Sequence, residues 1–202
     1  DSELFLHLLA RSSSQKLEEK LKDTFRQVEG AYALVMMLKN TLIGVRDPFG
    51  FRPLVIGKKD KTWVFASESC ALDLIGAQLV REVEAGEIVI ASTHSPTLCS
   101  IKMQKRTEKP CQKAFCSFEP IYFSRPDSVF NKQSIYEVRK NLGRQLAKEK
   151  PCEADLVIPV PDSGVPMALG FSEASGLRFE LGLVRNHYVG RTFIEPTQAI
   201  RD

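Results

Sequence analysis

The 202 residues are 43% hydrophobic and 26% charged, with a formal net charge of +3. These are ordinary globular values for a chain long enough to bury one large core or two small ones. Lys and Arg are interleaved with Asp and Glu, which speaks against a nucleic-acid binder, and no apolar run approaches the ~20 residues needed to span a bilayer.

Five cysteines at irregular spacing (Cys70, Cys99, Cys111, Cys116 and Cys152) do not make a disulfide framework. They fit a reducing compartment, so a cytoplasmic location is expected. No signal peptide is visible. A chain that opens on Asp1 and runs out at Asp202 without a stop signal reads as cut at both ends.

In chain order, residues 1 to 12 are expected to be helical, with Asp1 as N-cap and Leu4, Leu8 and Leu9 on one face. Leu17, Leu21, Phe25 and Val28 predict a second helix over 15 to 28, stopped by Gly30. The apolar run 31 to 38, the turn Lys39-Asn40 and the extended stretch 41 to 45 predict a hairpin. Residues 54 to 57 and 63 to 66 form a second pair around the polar turn 58 to 61. A short helix at 70 to 76 and a strand at 86 to 90 follow. Paired strands flanked by helices imply an α+β layered domain with largely antiparallel sheets.

Residues 93 to 113 read as a polar connector, and 115 to 123 as a strand. A helix over 134 to 148 would carry Ile135, Val138, Leu142 and Leu146 on its apolar face. Then strand 155 to 160, helix 163 to 175 and strand 177 to 184 make a βαβ unit, hence a parallel sheet. Two domains of different architecture are expected, with the change between 115 and 135.

The segment R-D-P-F-G-F-R-P-L (46–54) is a pre-organised turn, two prolines and a glycine holding two arginines. Alone it implies solvated or structurally paired charges. The segment F-A-S-E-S (65–69) ends a strand in small polar groups and is weaker still. Together and in this order they resemble the glutaminase domain of class II glutamine amidotransferases, a family that includes asparagine synthetases, glucosamine-phosphate synthases and the phosphoribosyl amidotransferases. Aligned on that pattern, Asp1-Ser2-Glu3 resembles the family's S-D-[ST]-E segment, whose aspartate holds the α-amino group of glutamine. The resemblance gives that role to Asp1, where a carboxylate facing an ammonium makes a charge-assisted bond; an N-cap is the alternative.

Three further segments narrow the resemblance. Y-F-S-R-P-D-S (122–128) is similar to the stretch joining the two domains of amidophosphoribosyltransferases. V-P-D-S-G (160–164) is similar to the strand end and helix start of their phosphoribosyltransferase domain. N-H-Y-V-G-R-T-F-I-E-P (186–196) is similar to the start of their flexible loop.

The resemblance implies an α+β N-terminal-nucleophile glutaminase domain with layered antiparallel sheets over residues 1–115. Part of an α/β type I phosphoribosyltransferase domain would follow over 116–202. The implied activity is transfer of ammonia from glutamine to phosphoribosyl pyrophosphate, giving 5-phosphoribosylamine in the first step of de novo purine (IMP) biosynthesis. Glutamine, phosphoribosyl pyrophosphate and inhibitory purine nucleotides are the implied small-molecule partners, in a homo-oligomer.

Ser163, at a helix start that suits anions and their metal, is implied to contribute to a Mg²⁺ site, and a Ser N-cap is compatible with that. Arg185, Tyr188 and Arg191 fall in the implied lid over phosphate, with Arg201 further along. His187 stands where the family usually has Arg. Cys116 matches a ligand of the [4Fe-4S] cluster in iron–sulfur members, with a small buried thiol as the alternative; Pro120 departs from the usual Tyr.

By resemblance the nucleophile is an N-terminal cysteine acting with its own amine as base, so no catalytic residue is assigned within these residues. The family's acidic D-D-S-[IL]-V-R-G-T-T loop is also missing from the sequence, and the 202 residues alone are expected to be inactive. Two alternatives stand beside this reading. An asparagine synthetase should carry a Ser-Gly-Gly-Leu-Asp-Ser loop, which is absent. The other is a non-catalytic nucleotide-sensing module on a phosphoribosyltransferase fold.

Overall fold

The structure is a computed structural model that describes residues 2–103, 113–188 and 196–198. It divides between Ser134 and Ile135 into two compact units. The first begins with helices α1 (Ser2–Arg11) and α2 (Leu17–Arg26). Two hairpins follow, β1 (Ala33–Leu38) with β2 (Thr41–Arg46), and β3 (Val55–Lys59) with β4 (Thr62–Ala66). Helix α3 (Ser69–Leu74) leads to β5 (Gln78–Glu82), β6 (Glu87–Ser92) and β7 (Cys99–Lys102). A helical turn at Glu119–Phe123 and a small hairpin, β8 (Val129–Phe130) with β9 (Gln133–Ser134), complete the unit.

Side-chain alternation sorts these elements into layers. The strands form two antiparallel sheets, ordered β1-β2-β6-β7 and β4-β3-β5. On one face of the first sheet, Ile43, Val45, Ile88 and Ile90 pack with Phe5, Leu21, Phe25 and Tyr32 from the helices and the loop after them. Val89, one residue out of phase, joins Leu54, Ile56 and Val83, with Trp63 and Phe65 packed against them. The far face of the second sheet sends Val55 to Leu72 of α3 and to Ala77. The order is therefore helix pair, sheet, sheet, helix. Each fully buried Ile, Val or Leu contributes about 1.5–3 kcal/mol to holding these layers.

Local chemistry explains the turns. Leu38 pairs directly with Thr41, so Lys39-Asn40 is the two-residue turn expected from sequence, with Lys39 at φ 47°. Asp60 takes the same left-handed conformation between Lys59 and Thr62. Two expectations fail here. Residues 115 to 123 are not a strand: Pro120 cannot donate to a ladder and sits in the first turn of Glu119–Phe123, closed by the Ser124 N–H donating to the Glu119 carbonyl at 2.9 Å. The polar connector 93 to 113 contains β7, which pairs with β6. Only Ile101 of β7 is buried, so no apolar alternation marked it.

Glu87, at the start of β6, ties three strands together. Its carboxylate accepts both Arg81 guanidinium nitrogens at 2.8 Å, the Ser100 hydroxyl at 2.5 Å and the Glu84 N–H at 2.7 Å. Burial opposes its ionisation, yet these donors outweigh burial and hold the carboxyl below its ordinary value.

The second unit opens with α4 (Ile135–Glu149), then β10 (Leu156–Val157), α5 (Val165–Ser175) and β11 (Arg178–Phe179). The two strands are parallel, Leu156 opposite Arg178 and Val157 opposite Phe179, so the expected βαβ unit forms with shorter strands. Gly176, at φ 76°, caps α5 by donating to the Ser172 carbonyl. The inward face of α4 differs from the expected one. Ile135, Arg139, Gly143 and Ala147 are buried, whereas Leu142 and Leu146 are 41% and 52% exposed.

Close approach of α5 selects that face. A Cβ on Gly143 would lie 1.9 Å from the Met167 carbonyl oxygen, and one on Gly170 would lie 2.0 Å from that of Lys140. Lys140 and Arg144 then reach Glu173 at 2.6 and 2.7 Å.

Two stability predictions follow from these contacts. Gly170→Ala should lower unfolding free energy in urea by about 1–3 kcal/mol or more, since the neighbour is backbone and cannot turn aside. Glu87, with its folded pKa depressed, adds stability above about pH 4.3 that is lost as pH falls through the folded value. Glu87→Gln should therefore be less stable than wild type at pH 7, and the gap should close in acid melts.

Candidate functional site

The turn 46–54 is built on two buried charges. Arg46, 6% exposed, donates to the carbonyls of Arg52 (2.9 Å), Val83 (2.7 Å) and Gly50 (3.0 Å), and lies 3.5 Å from Glu82. Asp47, fully buried, accepts four backbone N–H groups. One oxygen takes Phe49 and Gly50 at 2.8 and 2.9 Å; the other takes Tyr32 and Phe51 at 3.3 and 3.1 Å. Burial, and then the negative charge of Asp47, push the Tyr32 hydroxyl well above its ordinary value. Of the two readings the sequence left for this motif, structural pairing is the one Arg46 and Asp47 adopt.

Beside this turn lies a cleft of about 960 Å³, wholly within the first unit. Ser2 and Phe5 of α1, residues 28 to 34 leading into β1, Arg52, Ser67, Glu68 and Glu119 line it. Asp1 falls outside the described residues; its neighbour Ser2 is on the cleft wall. Arg52 presents half its side chain to solvent. Its Nε sits 2.5 Å from the buried Glu119 carboxylate, and its guanidinium stacks over Phe123 at 4.9 Å. Glu68, at the end of F-A-S-E-S, accepts the Arg125 N–H and the Ser128 hydroxyl, both at 2.8 Å, while Ser69 accepts the Val129 N–H at 2.8 Å.

Two motifs noted separately in the sequence thus hold each other. Arg125 is bidentate to Asp127 at 3.0 and 2.9 Å, and the guanidinium keeps the Asp127 carboxyl below its usual range. Sequence reasoning missed the parts played by Glu68 and Glu119. The only signal for Glu119 was a lone acid inside F-E-P-I-Y-F.

In the second unit, the loop 158 to 164 carries the chain from β10 into α5. The Gly164 N–H donates to the Val160 carbonyl at 3.1 Å and the Val165 N–H to Asp162 at 3.3 Å. No described residue hydrogen-bonds the Ser163 hydroxyl, which stands just before the helix N-terminus. Arg185 pairs with Asp162 at 3.0 Å, both half exposed, so the contact is worth at most ~1 kcal/mol and opens easily. Tyr188 is fully exposed, and Arg191 and Arg201 lie outside the described residues.

Cys116 is partly buried, its N–H donating to Phe51 at 3.0 Å; Cys111 is outside the described residues. Among the described residues no three His, Cys, Asp or Glu side chains gather as a metal site. No described helix is long and apolar enough to cross a membrane.

Residues 1–74 match the glutamine amidotransferase domain family. The amidophosphoribosyltransferase of Rhizobium etli is 50% identical over all of this chain, which covers 40% of that protein. That of Bacillus subtilis is 43% identical, again over the whole chain and 41% of the relative. Along its entire length, the chain is similar to part of an amidophosphoribosyltransferase. It spans about two fifths of the length of these relatives.

Two solved structures superpose on all of the chain at TM-score 0.87 and 43% identity. One is an allosteric regulatory enzyme of purine biosynthesis, of which the chain covers 42%. The other is the B. subtilis glutamine phosphoribosylpyrophosphate amidotransferase complexed with ADP and GMP, of which it covers 43%. Amidophosphoribosyltransferase relatives that match the whole chain do not favour the asparagine synthetase or sensing-module alternatives. The antiparallel sheets with flanking helices and the family match at residues 1–74 fit an α+β N-terminal-nucleophile glutaminase fold.

Asp47→Asn tests the turn. Whichever way the amide sits, its NH₂ faces two backbone donors, so unfolding free energy should drop by about 2–4 kcal/mol in denaturant titration.

Proposed function

We propose that these residues work as part of an amidophosphoribosyltransferase, which moves ammonia from the amide of glutamine to C1 of phosphoribosyl pyrophosphate and yields 5-phosphoribosylamine, a first step of purine synthesis. The observation that carries this reading is continuous identity of 43–50%, through both compact units, with relatives of that name. Residues 1–115 are assigned to the glutaminase half and 116–202 to the phosphoribosyltransferase half. The stretch 116–134 is the part of the latter that packs with the first unit.

In the first half, the glutamine α-amino group is assigned to Asp1, which precedes Ser2 in sequence and lies outside the described residues. A carboxylate in that role fixes the amino-acid end while the amide carbon is attacked. The nucleophile, an N-terminal cysteine by resemblance, is assigned to none of the cysteines in this sequence. Attack breaks the amide C–N bond, ammonia leaves, and water releases glutamate from the thioester. Ammonia then forms the new C1–N bond as pyrophosphate departs.

In the second half, the Ser163 hydroxyl, which no described residue hydrogen-bonds and which precedes the N-terminus of α5, is assigned to the pyrophosphate end of the site. It suits one ligand of a Mg²⁺ ion, which when bound would offset charge on the leaving pyrophosphate. Arg185, released from Asp162, and Tyr188 with Arg191 are assigned to the loop that closes over phosphate. A [4Fe-4S] cluster takes four thiolates; Cys116 would supply one, and the described residues do not make up the rest of such a site. Purine nucleotides as inhibitors, a homo-oligomer and a cytoplasmic location complete the proposal.

The test uses the full-length gene product. Amide-¹⁵N glutamine with phosphoribosyl pyrophosphate and Mg²⁺ should give ¹⁵N-phosphoribosylamine and pyrophosphate; absence of label in the sugar product would overturn the reading. Ser163→Ala should raise the Mg²⁺ concentration for half-maximal rate about tenfold, read from the metal dependence of pyrophosphate release.

A further inference from the structure

One carboxylate belongs at once to the cleft wall and to the chain that leaves it. Glu68 lines the cleft, and its Oε2 accepts both the Arg125 N–H and the Ser128 hydroxyl at 2.8 Å. The partners lie 57 and 60 residues away in sequence, so this is a tertiary fastening, not a local turn. Ser69 repeats it one step on by accepting the Val129 N–H. Arg125 and Asp127 brace the turn internally with two parallel hydrogen bonds. A second contact from the same wall reinforces the first, because Arg52 meets Glu119 and stacks on Phe123. The stretch so held runs straight on, through β8 and β9, to Ile135 at the start of α4.

From this juxtaposition we propose that Glu68 is a positioning residue that couples occupancy of the cleft to the conformation of the 125–129 turn, and so to the chain entering the second unit. The coupling half rests on the functional reading above, because it takes an amino-acid ligand in the cleft. Charge-assisted bonds to a single carboxylate oxygen depend on where that oxygen points. A ligand ammonium or carboxylate entering beside Ser67 and Glu68 therefore either steadies the carboxylate in its present rotamer or turns it. Either way the turn senses the ligand through a two-state contact, not through distance alone. Ser128 gives access to the clasp from the far side, since it does not line the cleft.

Amide hydrogen exchange on the full-length protein tests this, with glutamate as a probe that is not consumed. In wild type, the Arg125 and Val129 amides should be protected, and glutamate should change their exchange rate. Glu68→Ala should speed exchange at Arg125 roughly tenfold or more and abolish the response to glutamate. Ser128→Ala should weaken protection in the same direction while glutamine hydrolysis persists, with a loss of phosphoribosylamine formed per glutamine hydrolysed. Wild-type exchange and stoichiometry in both variants would overturn the proposal. So would wild-type amides that do not respond to saturating glutamate. If the wild type turned over neither glutamine nor phosphoribosyl pyrophosphate, the functional reading would fall together with the coupling, whereas the exchange rates of the variants would still decide the clasp.

Discussion

The buried carboxylate of Asp47 organises the first unit. A charge taken fully out of water is costly unless every lone pair is met, and here four backbone amides from two separate stretches meet it. Tyr32 lies before β1, whereas Phe49, Gly50 and Phe51 follow β2, so the carboxylate closes the open end of that hairpin. Arg46 then works from the opposite sign, gathering the carbonyls of Gly50, Arg52 and Val83. Acceptors and donors that a tight turn would leave unsatisfied are consumed by two adjacent side chains.

One wall of the cleft inherits its position from this turn. Arg52 emerges from it toward Glu119; the Ala114 and Cys116 N–H groups hydrogen-bond the carbonyls of Phe49 and Phe51. Glu82 connects the other side, close to Arg46 on one oxygen and accepting the Asn131 N–H on the other. The result is a polar network that crosses the two-sheet sandwich at its edge, where burial of Ile and Val alone gives layers but no unique lateral register.

Much of this was legible in the residues. The paired hairpins, the spans of both opening helices and the βαβ grammar followed from periodicity and turn chemistry, although α1 buries Phe5 and leaves Leu4, expected on its apolar face, exposed. Each of these elements carries its own apolar pattern or turn residues. What was hidden shares a different trait. Strand β7 exposes three of its four residues, and β5 has Leu79 and Val80 both outward, so neither shows alternation. The face of α4 was misjudged because glycine carries no hydrophobic signal, yet Gly143 is what the neighbouring helix needs. The Glu68–Ser128 contact joins residues far apart in sequence, and no local window contains both. Resemblance pointed to Ser163, and the structure adds the geometry of the loop that presents it.

The bare contact between α4 and α5 has a mechanical corollary. With Met167 and Lys140 carbonyls filling the space where methyl groups would stand, the two helices cannot slide or tilt without colliding, and Glu173 pins them at two cations. They behave as a single stiff bracket behind the parallel strand pair. On the proposed reading, any adjustment that admits a ligand near Ser163 falls to the backbone torsions of 158 to 164, which places the compliance of this unit in the loop that joins β10 to α5.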